Sequence, residues 1–218
     1  MDKIIKAIEL LLLEASMLLA SADITEGEQP GNWSEAYHIF LDDWKSIEKY
    51  GDFSYLELYF GEEGYYFDKY FLCDVDGNGT PELFLYSTYM GLTAVFTYTD
   101  QPVFLLYNRI YGINYETDEV VINGHWHGAG GSGENEWTAY RISGGISEYS
   151  IYIDFFDLPE EDGGKHYDIY DEETDEYTHS QDGTEYDVIY AAHVEPCVFI
   201  DHYHLYDMSD ESGFDNIQ

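Results

Sequence analysis

Basic residues are scarce in this sequence of 218 residues. Only 8 are Lys or Arg, whereas 45 are Asp or Glu, so the formal net charge at pH 7 is −37. A chain with this charge repels phosphate backbones and anionic lipid surfaces, which excludes nucleic acid as a partner and favours divalent cations. Apolar residues still make up 44% of the sequence, which is typical of a folded globular protein rather than a disordered acidic tail.

Cysteine is almost absent as well, since the chain has only Cys73 and Cys197. Two cysteines exclude a disulfide framework and a zinc site built from thiolates. Each lies in an apolar run that reads as a strand. Two interpretations therefore remain open: a pair of buried free thiols, or one disulfide between neighbouring strands.

The sequence also has no uncharged apolar run long enough to span a membrane. The apolar stretch within residues 1–22 contains Glu9 and Glu14, follows a short basic region and ends in a small-x-small sequence at 20–22. The basic region, the apolar stretch and the small-x-small end are the pattern of a signal peptide, which the two glutamates interrupt. We predict a signal-peptide-like segment at 1–22, a polar linker at 23–31, an extracytoplasmic or secreted location, and no membrane insertion after processing. An amphipathic helix packed on the domain is the alternative for the same segment.

An aromatic stripe predicts one amphipathic helix from Asn32 to Tyr50. Asn32 and Glu35 have the spacing of a capping box, and Gly51 ends the pattern. Between them, apolar side chains recur every three or four residues, at Trp33, Tyr37, Phe40, Trp44 and Ile47. We expect this stripe to pack against the core of the domain.

From about Ser54 the apolar pattern changes to a period of two, which predicts short antiparallel strands separated by turns. The predicted strands are Tyr55–Phe60, Tyr65–Cys73, Glu82–Tyr89, Thr93–Thr99, Val103–Ile110, Val120–Trp126, Trp137–Ile142, Ser150–Phe156, Tyr167–Tyr170, Tyr186–Ala191 and Cys197–Tyr206. The prediction is a single α+β domain over residues 32–206, a β-dominated antiparallel sheet domain with one amphipathic helix packed on it. Residues 157–185 read as an acidic, turn-rich excursion, and residues 207–218 as a frayed acidic tail.

The segment between the second and third predicted strands has oxygen donors at alternating positions of a tight loop. The donors are the side chains of Asp74, Asp76, Asn78 and Glu82 and the carbonyl oxygen of Thr80. Calcium takes six to eight oxygen ligands at about 2.3–2.6 Å. Gly77 and Gly79 permit the sharp turn that such a loop requires. We therefore predict a calcium site made by these five residues.

The same loop has two other interpretations. An EF-hand is excluded because its twelfth position falls on Leu85, inside a predicted strand, instead of on a bidentate Glu. An Asp/Asn/Gly turn without an ion is the remaining alternative. We favour the ion because three carboxylates in one short loop repel one another unless a cation neutralises them.

The sequence DVDGNGTPEL, which begins at Asp74, resembles the calcium loops of FG-GAP and VCBS-type repeats. That resemblance implies β-propeller blades, a cell-surface location and binding roles, but a propeller repeats the loop and this chain contains it once. Residues 33–145 as a set are similar to uncharacterised secreted proteins and lipoproteins of gut Clostridia and related Firmicutes. The shared features are the Trp33-x-x-Ala-Tyr helix, the loop, the Thr97–Asp100 hairpin and the Gly-rich segment GHWHGAGG. The second resemblance implies export and carries no settled activity.

Two His-x-His pairs predict a second kind of metal site. His125 and His127, like His202 and His204, are two residues apart on a predicted strand, so that both rings of a pair share one face. Four converging imidazoles would bind zinc or a similar metal, and a metallo-hydrolase that uses these pairs is the alternative function. Exposed or hydrogen-bonded histidines on strands are the simpler interpretation.

The sequence contains no GxSxG segment and no other constellation typical of a nucleophilic enzyme. We therefore expect an exported acidic calcium-binding domain that acts as a non-enzymatic extracytoplasmic binding or surface-associated module. Its expected partners are a divalent cation and an extracellular carbohydrate or protein. Exposed Tyr and Trp side chains are the candidate contact surface, although Tyr is also an ordinary strand residue.

Overall fold

The computed structural model describes residues 32–42, 67–124, 133–134, 136–157, 164–171 and 175–218. Within these ranges two antiparallel sheets and two α-helices form an α+β, β-dominated fold, as predicted. The signal-peptide-like segment, the linker and the predicted strand Tyr55–Phe60 lie outside the described residues.

The described elements follow one another in the order helix α1, eleven strands, helix α2 and two short strands. Their bounds are α1 (Trp33–Asp42), β1 (Lys69–Cys73), β2 (Glu82–Ser87), β3 (Leu92–Tyr98), β4 (Pro102–Asn108), β5 (Ile110–Asn114), β6 (Glu119–Gly124), β7 (Gly133–Glu134), β8 (Glu136–Ser143), β9 (Ile146–Asp157), β10 (Lys165–Asp171), β11 (Glu176–Ser180), α2 (Thr184–His193), β12 (Val198–Phe199) and β13 (Tyr206–Asp207). The first sheet has the strand order β13-β1-β2-β3-β4. The second has the order β11-β10-β9-β8-β6-β5-β12, with β7 paired to β9.

These elements stack in four layers: α1, the first sheet, the second sheet and α2. Helix α1 packs Phe40 on one face of the first sheet. The other face of that sheet, which carries Phe71 and Phe84, packs against Val120 of the second sheet. Helix α2 covers the opposite face of the second sheet, where Val121 is buried. Successive residues of a strand point to opposite faces, so strands covered on both sides contain continuous apolar runs.

Helix α1 begins as the sequence predicts. The N–H of Glu35 donates to Asn32 Oδ1 at 2.9 Å, which satisfies one of the free N–H groups of the first turn. Tyr37 and Phe40 are fully buried, so the described part of the aromatic stripe packs on the core as expected. The predicted continuation, with Trp44 and Ile47, lies outside the described residues.

A second helix replaces the predicted strand Tyr186–Ala191. Helix α2 spans Thr184–His193 and follows Asp182, whose carboxylate accepts from the N–H of Thr184 at 3.0 Å. Tyr186 and Tyr190 lie one helical turn apart, and their rings stack 6.1 Å apart over the second sheet. The prediction was wrong because Tyr, Val and Tyr at alternating positions fit a period of two, whereas the buried positions have the helical spacing of four.

The predicted strand Cys197–Tyr206 is also interrupted. Val198–Phe199 pairs with β5 of the second sheet, whereas Tyr206–Asp207 pairs with β1 of the first. A 3-10 turn at Ile200–His202 lies between them and carries the chain from one sheet to the other. A similar change of sheet divides the predicted strand Val103–Ile110 between β4 and β5.

The described parts of two acidic segments form regular structure that the sequence did not predict. The predicted excursion at 157–185 contains the β10–β11 hairpin, which extends the second sheet beyond β9. Residues 207–218 include a 3-10 turn, and the ring of Phe214 stacks on Trp33 with centroids 6.4 Å apart. The N–H of Gln218 donates to a carbonyl oxygen of β1 at 3.0 Å. These residues therefore form part of the packed domain and not a frayed tail.

We predict that Phe214→Ala lowers the free energy of unfolding by about 2 kcal/mol, because it removes a partly buried ring from the core beside α1. Urea denaturation of the full chain measures this change. Ile217→Ala is the control, since Ile217 is 46% exposed and its truncation should change stability by less than about 0.5 kcal/mol. Equal stability of the wild type and both variants would mean that the segment does not pack on the sheet.

Candidate metal centre

The predicted metal loop connects β1 to β2 at one end of the first sheet. Cys73 and Glu82 are paired across β1 and β2, so the loop begins and ends at directly opposite positions of the two strands. Gly77 and Gly79 have φ angles of +64° and +86°, a conformation that residues with a Cβ rarely adopt. The two glycines therefore allow the compact turn that brings the beginning and the end of the loop together.

Three carboxylates converge inside this turn. One carboxylate oxygen from each of Asp74, Asp76 and Glu82 lies within 4.8 Å of the others. Asp74 and Asp76 are half-buried, and Glu82 is fully buried. Among the described residues this is the one group of three or more His, Cys, Asp or Glu side chains whose ligand atoms lie this close.

Hydrogen bonds within the loop connect its polar side chains to one another and to its backbone. Asp74 Oδ2 accepts from the N–H of Gly79 at 3.0 Å, and Asn78 Oδ1 accepts from the N–H of Thr80 at 2.7 Å. The Nδ2 amide of Asn78 donates to Asp76 Oδ2 at 2.8 Å. Of the five predicted ligands, the three carboxylates are therefore brought together, Asn78 lies beside them, and Thr80 contacts Asn78 through its backbone N–H.

The other oxygen of Asp74 has no such support. Asp74 Oδ1 is buried and accepts no hydrogen bond from the described residues. A buried acceptor without a partner costs roughly 1–3 kcal/mol, and more when it carries charge. A bound cation would supply the missing partner, because a divalent ion attracts carboxylate oxygens and replaces the water they have lost.

Glu82 is the most deeply buried of the three acids. Its Oε2 accepts from the N–H of Val75 at 3.0 Å, and its Oε1 accepts from the hydroxyl of Thr97 at 3.1 Å. Burial raises the pKa of the Glu82 carboxyl to about 7, and the nearby charge of Asp76 raises it further, against the lowering effect of these hydrogen bonds. Without a bound metal ion this carboxyl therefore stays protonated at pH values well above those at which a Glu side chain usually ionises.

The loop also contacts the layers on both sides of the first sheet. The hydroxyl of Tyr37 in α1 donates to the carbonyl oxygen of Pro81 at 3.0 Å. The N–H of Gly144, in the turn between β8 and β9, donates to Asp76 Oδ2 at 3.3 Å. Sequence reasoning missed these contacts and that of Thr97, and no local pattern pairs the turn at Gly144 with a loop so distant in the chain.

The histidine pairs do not form the predicted arrangement where they are described. His202 ends a 3-10 turn and His204 follows it, so the two do not share one face of a strand. The His202 ring meets Phe199 edge to face, and the His204 ring meets Tyr206 in the same way. His125 and His127 lie outside the described residues.

Both cysteines are free and buried, in agreement with the first of the two interpretations. Cys73 Sγ lies 2.9 Å from the hydroxyl oxygen of Tyr115, whereas Cys197 Sγ donates to the carbonyl oxygen of His193 at 3.3 Å. Burial raises the pKa of each thiol to about 12. Neither thiol is therefore a thiolate nucleophile at neutral pH.

Comparison of the chain with models of protein families, with curated proteins and with solved structures finds no match. In the part of the chain that the structure describes, no helix has the length and apolar character needed to cross a bilayer. The function proposed below therefore depends on the geometry of the carboxylate loop and on the sequence.

Proposed function

We propose that the loop from Asp74 to Glu82 binds one calcium ion, and that the protein is an exported acidic calcium-binding domain with a non-enzymatic role as a binding or surface-associated module. The observation that carries the calcium proposal is the buried Asp74 Oδ1, which has no hydrogen-bond partner and lies in a group of three carboxylates. If the loop were only a hydrogen-bonded turn, this buried oxygen would be left without a partner and would destabilise the fold.

The chemistry of the donors supports calcium over transition metals. Every candidate ligand is an oxygen, from a carboxylate, an amide side chain or a backbone carbonyl, whereas zinc and copper favour imidazole or thiolate. Calcium tolerates irregular geometry and more ligands than magnesium, which suits a loop with carboxylates of unequal burial. Asp74, Asp76 and Glu82 would hold the ion directly, and Asn78 and the Thr80 carbonyl would complete the set.

An extracytoplasmic setting fits this chemistry. Calcium there reaches the millimolar range in which extracellular modules bind it. The signal-peptide-like sequence at 1–22 and the resemblance to secreted Clostridial proteins support export. The net charge of −37 adds a reason for the ion, because bound cations relieve the self-repulsion of the folded chain.

We predict that the wild-type chain binds one equivalent of calcium in equilibrium dialysis against ⁴⁵Ca²⁺, and that Asp74→Asn weakens this binding at least about tenfold, because one charged ligand is worth more than about 1.4 kcal/mol at a buried site. Asp187→Asn, which makes the same change on the exposed surface of α2, is the control. If the variant and the control lose binding equally, the bound calcium belongs to the diffuse surface charge and not to the loop.

A further inference from the structure

A group of tyrosines lines one face of the second sheet and is called here the tyrosine face. It consists of Tyr140 on β8, Tyr149 and Tyr152 on β9, Tyr170 on β10 and Tyr177 on β11. Tyr152 is paired with Tyr170, and Tyr170 with Tyr177, so three of the rings follow one row across the sheet. The candidate metal centre lies in the first sheet and uses none of these residues.

A β-bulge brings Tyr149 to the same face of the sheet. The register shifts between Ala139 and Tyr140, which is paired with Tyr149 while Ala139 is paired with Ile151. The extra residue in β9 reverses the alternation, as bulges do. The Tyr149 ring consequently meets Tyr140 and Tyr170 edge to face, at centroid distances of 5.6 and 5.8 Å.

The tyrosine face extends from the core toward solvent. Tyr140 packs beside the core between the two sheets, whereas Tyr177 on the last strand, β11, is 53% exposed. Tyr149 and Tyr152 are half-buried between them. The opposite side of the same strands, which includes Ile153, is covered by α2, so the two sides differ in what they present.

Carboxylates are placed among the rings. The hydroxyl of Tyr170 donates to Asp175 Oδ1 at 2.8 Å, and the hydroxyl of Tyr152 donates to Asp154 Oδ2 at 3.4 Å. Asp168 is paired with Asp154 in the ladder, and its Oδ1 lies 2.7 Å from Nδ1 of His179, whose ring stacks on Tyr177. Burial raises the pKa of Tyr149 and Tyr152 well above the usual range, so the rings are neutral phenols at physiological pH. Neutral π-faces with carboxylates beside them attract cations.

We propose that the tyrosine face binds a basic segment of a partner protein, with Lys or Arg side chains over the rings of Tyr152 and Tyr177. A chain with a net charge of −37 draws basic partners toward it, and the rings then select lysine and arginine by cation–π contact. A flat stack of coplanar rings would suit a sugar better, but the Tyr152 and Tyr177 rings are perpendicular, at 86°. Mutual repulsion opposes a second copy of the chain on this face.

This inference rests on the binding role proposed above and does not require calcium. The test is fluorescence anisotropy of the full chain with a labelled octalysine peptide and with the same peptide acetylated on every lysine side chain. We expect the charged peptide to bind and the acetylated peptide not to bind. The double variant Tyr152→Leu/Tyr177→Leu should bind about tenfold more weakly, since two cation–π contacts of about 0.7 kcal/mol each are lost.

Tyr89→Leu is the matched control, because Tyr89 is 84% exposed in the turn between β2 and β3 of the first sheet. The Tyr→Leu variants keep the net charge of the wild type, so attraction by the overall charge is unchanged. Equal binding by the wild type, the double variant and the control would overturn the proposal in favour of that attraction alone. The single variant Tyr177→Leu, at an exposed position, gives the same comparison if the double variant does not fold.

Two further results would also overturn the proposal. Binding of cellohexaose with loss in the double variant, in place of octalysine binding, would make the face a carbohydrate site. Concentration-dependent association in sedimentation velocity, lost in the double variant, would make it an interface between two copies. Repeating the anisotropy with Asp76→Ala separates the two proposals, because an intact tyrosine face should bind octalysine whether or not the loop binds calcium.

Discussion

Millimolar calcium should raise the melting temperature of the full chain by about 5–10 °C relative to the protein in chelator. At a free calcium concentration 100 times the dissociation constant, an ion that binds only the folded state adds about 2.7 kcal/mol to stability. For a chain of this size each kcal/mol shifts the melting temperature by roughly 2–4 °C. Differential scanning calorimetry in the two buffers measures the shift. The melting temperature should rise progressively as calcium is added.

Asp76→Ala should remove most of this response. The variant lacks one of the three converging carboxylates and the acceptor for Asn78 and Gly144. In chelator it loses repulsion as well as hydrogen bonds, so its metal-free stability should change less than its calcium response. Magnesium at the same concentration tests for simple screening of the surface charge. Coincident melts of the wild type in calcium and chelator would leave the loop as a hydrogen-bonded turn.

The features that the sequence predicted best are those determined by residues close together in the chain. Gly77 and Gly79 can be placed in a turn without knowledge of the fold. Asn32 can likewise be recognised as a helix cap, because the N–H group that it accepts from lies only three residues along the chain. The same holds for the strands on either side of the loop, where runs of apolar residues lead directly into it. Local chemistry determines each of these features.

The features that sequence reasoning missed depend on distant residues or on where the chain changes direction. Thr97, Tyr37 and Gly144 contact the loop from 15, 44 and 68 residues away, and only the stacking of layers brings them there. Helix α2 was predicted as a strand because its apolar residues also fit a period of two, and only packing on the second sheet selects the helix. The prediction that His202 and His204 share one face assumed a continuous strand, whereas the chain turns at Ile200–His202 to reach the other sheet.

The second large effect concerns Glu82 and the pH dependence of stability. The pKa of its carboxyl is about 7 in the metal-free folded protein and 4.5 in an unfolded chain. The folded state therefore binds more protons between these values. The associated stability is fully present below pH 4.5 and is lost as the pH rises through 7. The difference corresponds to about 3 kcal/mol, at 1.36 kcal/mol per pKa unit.

We predict that the wild-type chain in chelator loses about 3 kcal/mol more stability than Glu82→Gln between pH 4.5 and pH 8, because the amide does not ionise. Urea denaturation across this range measures both proteins, and the difference between them removes the contribution of the other acids. Glu195→Gln, at an exposed position, should follow the wild type. Parallel pH profiles for all three would mean that Glu82 ionises normally in the folded protein.

Calcium should reverse this trend in the wild type, because the ion binds the ionised carboxylate and the proton competes with it. The apparent calcium affinity should rise about tenfold per pH unit up to pH 7 and level off above it, since one proton leaves for each ion bound. Glu82→Gln should bind calcium more weakly, with no such slope. If the calcium affinity of the wild type is independent of pH, the ion does not bind Glu82. Binding that displaces a proton from this buried carboxyl must become weaker as the pH falls.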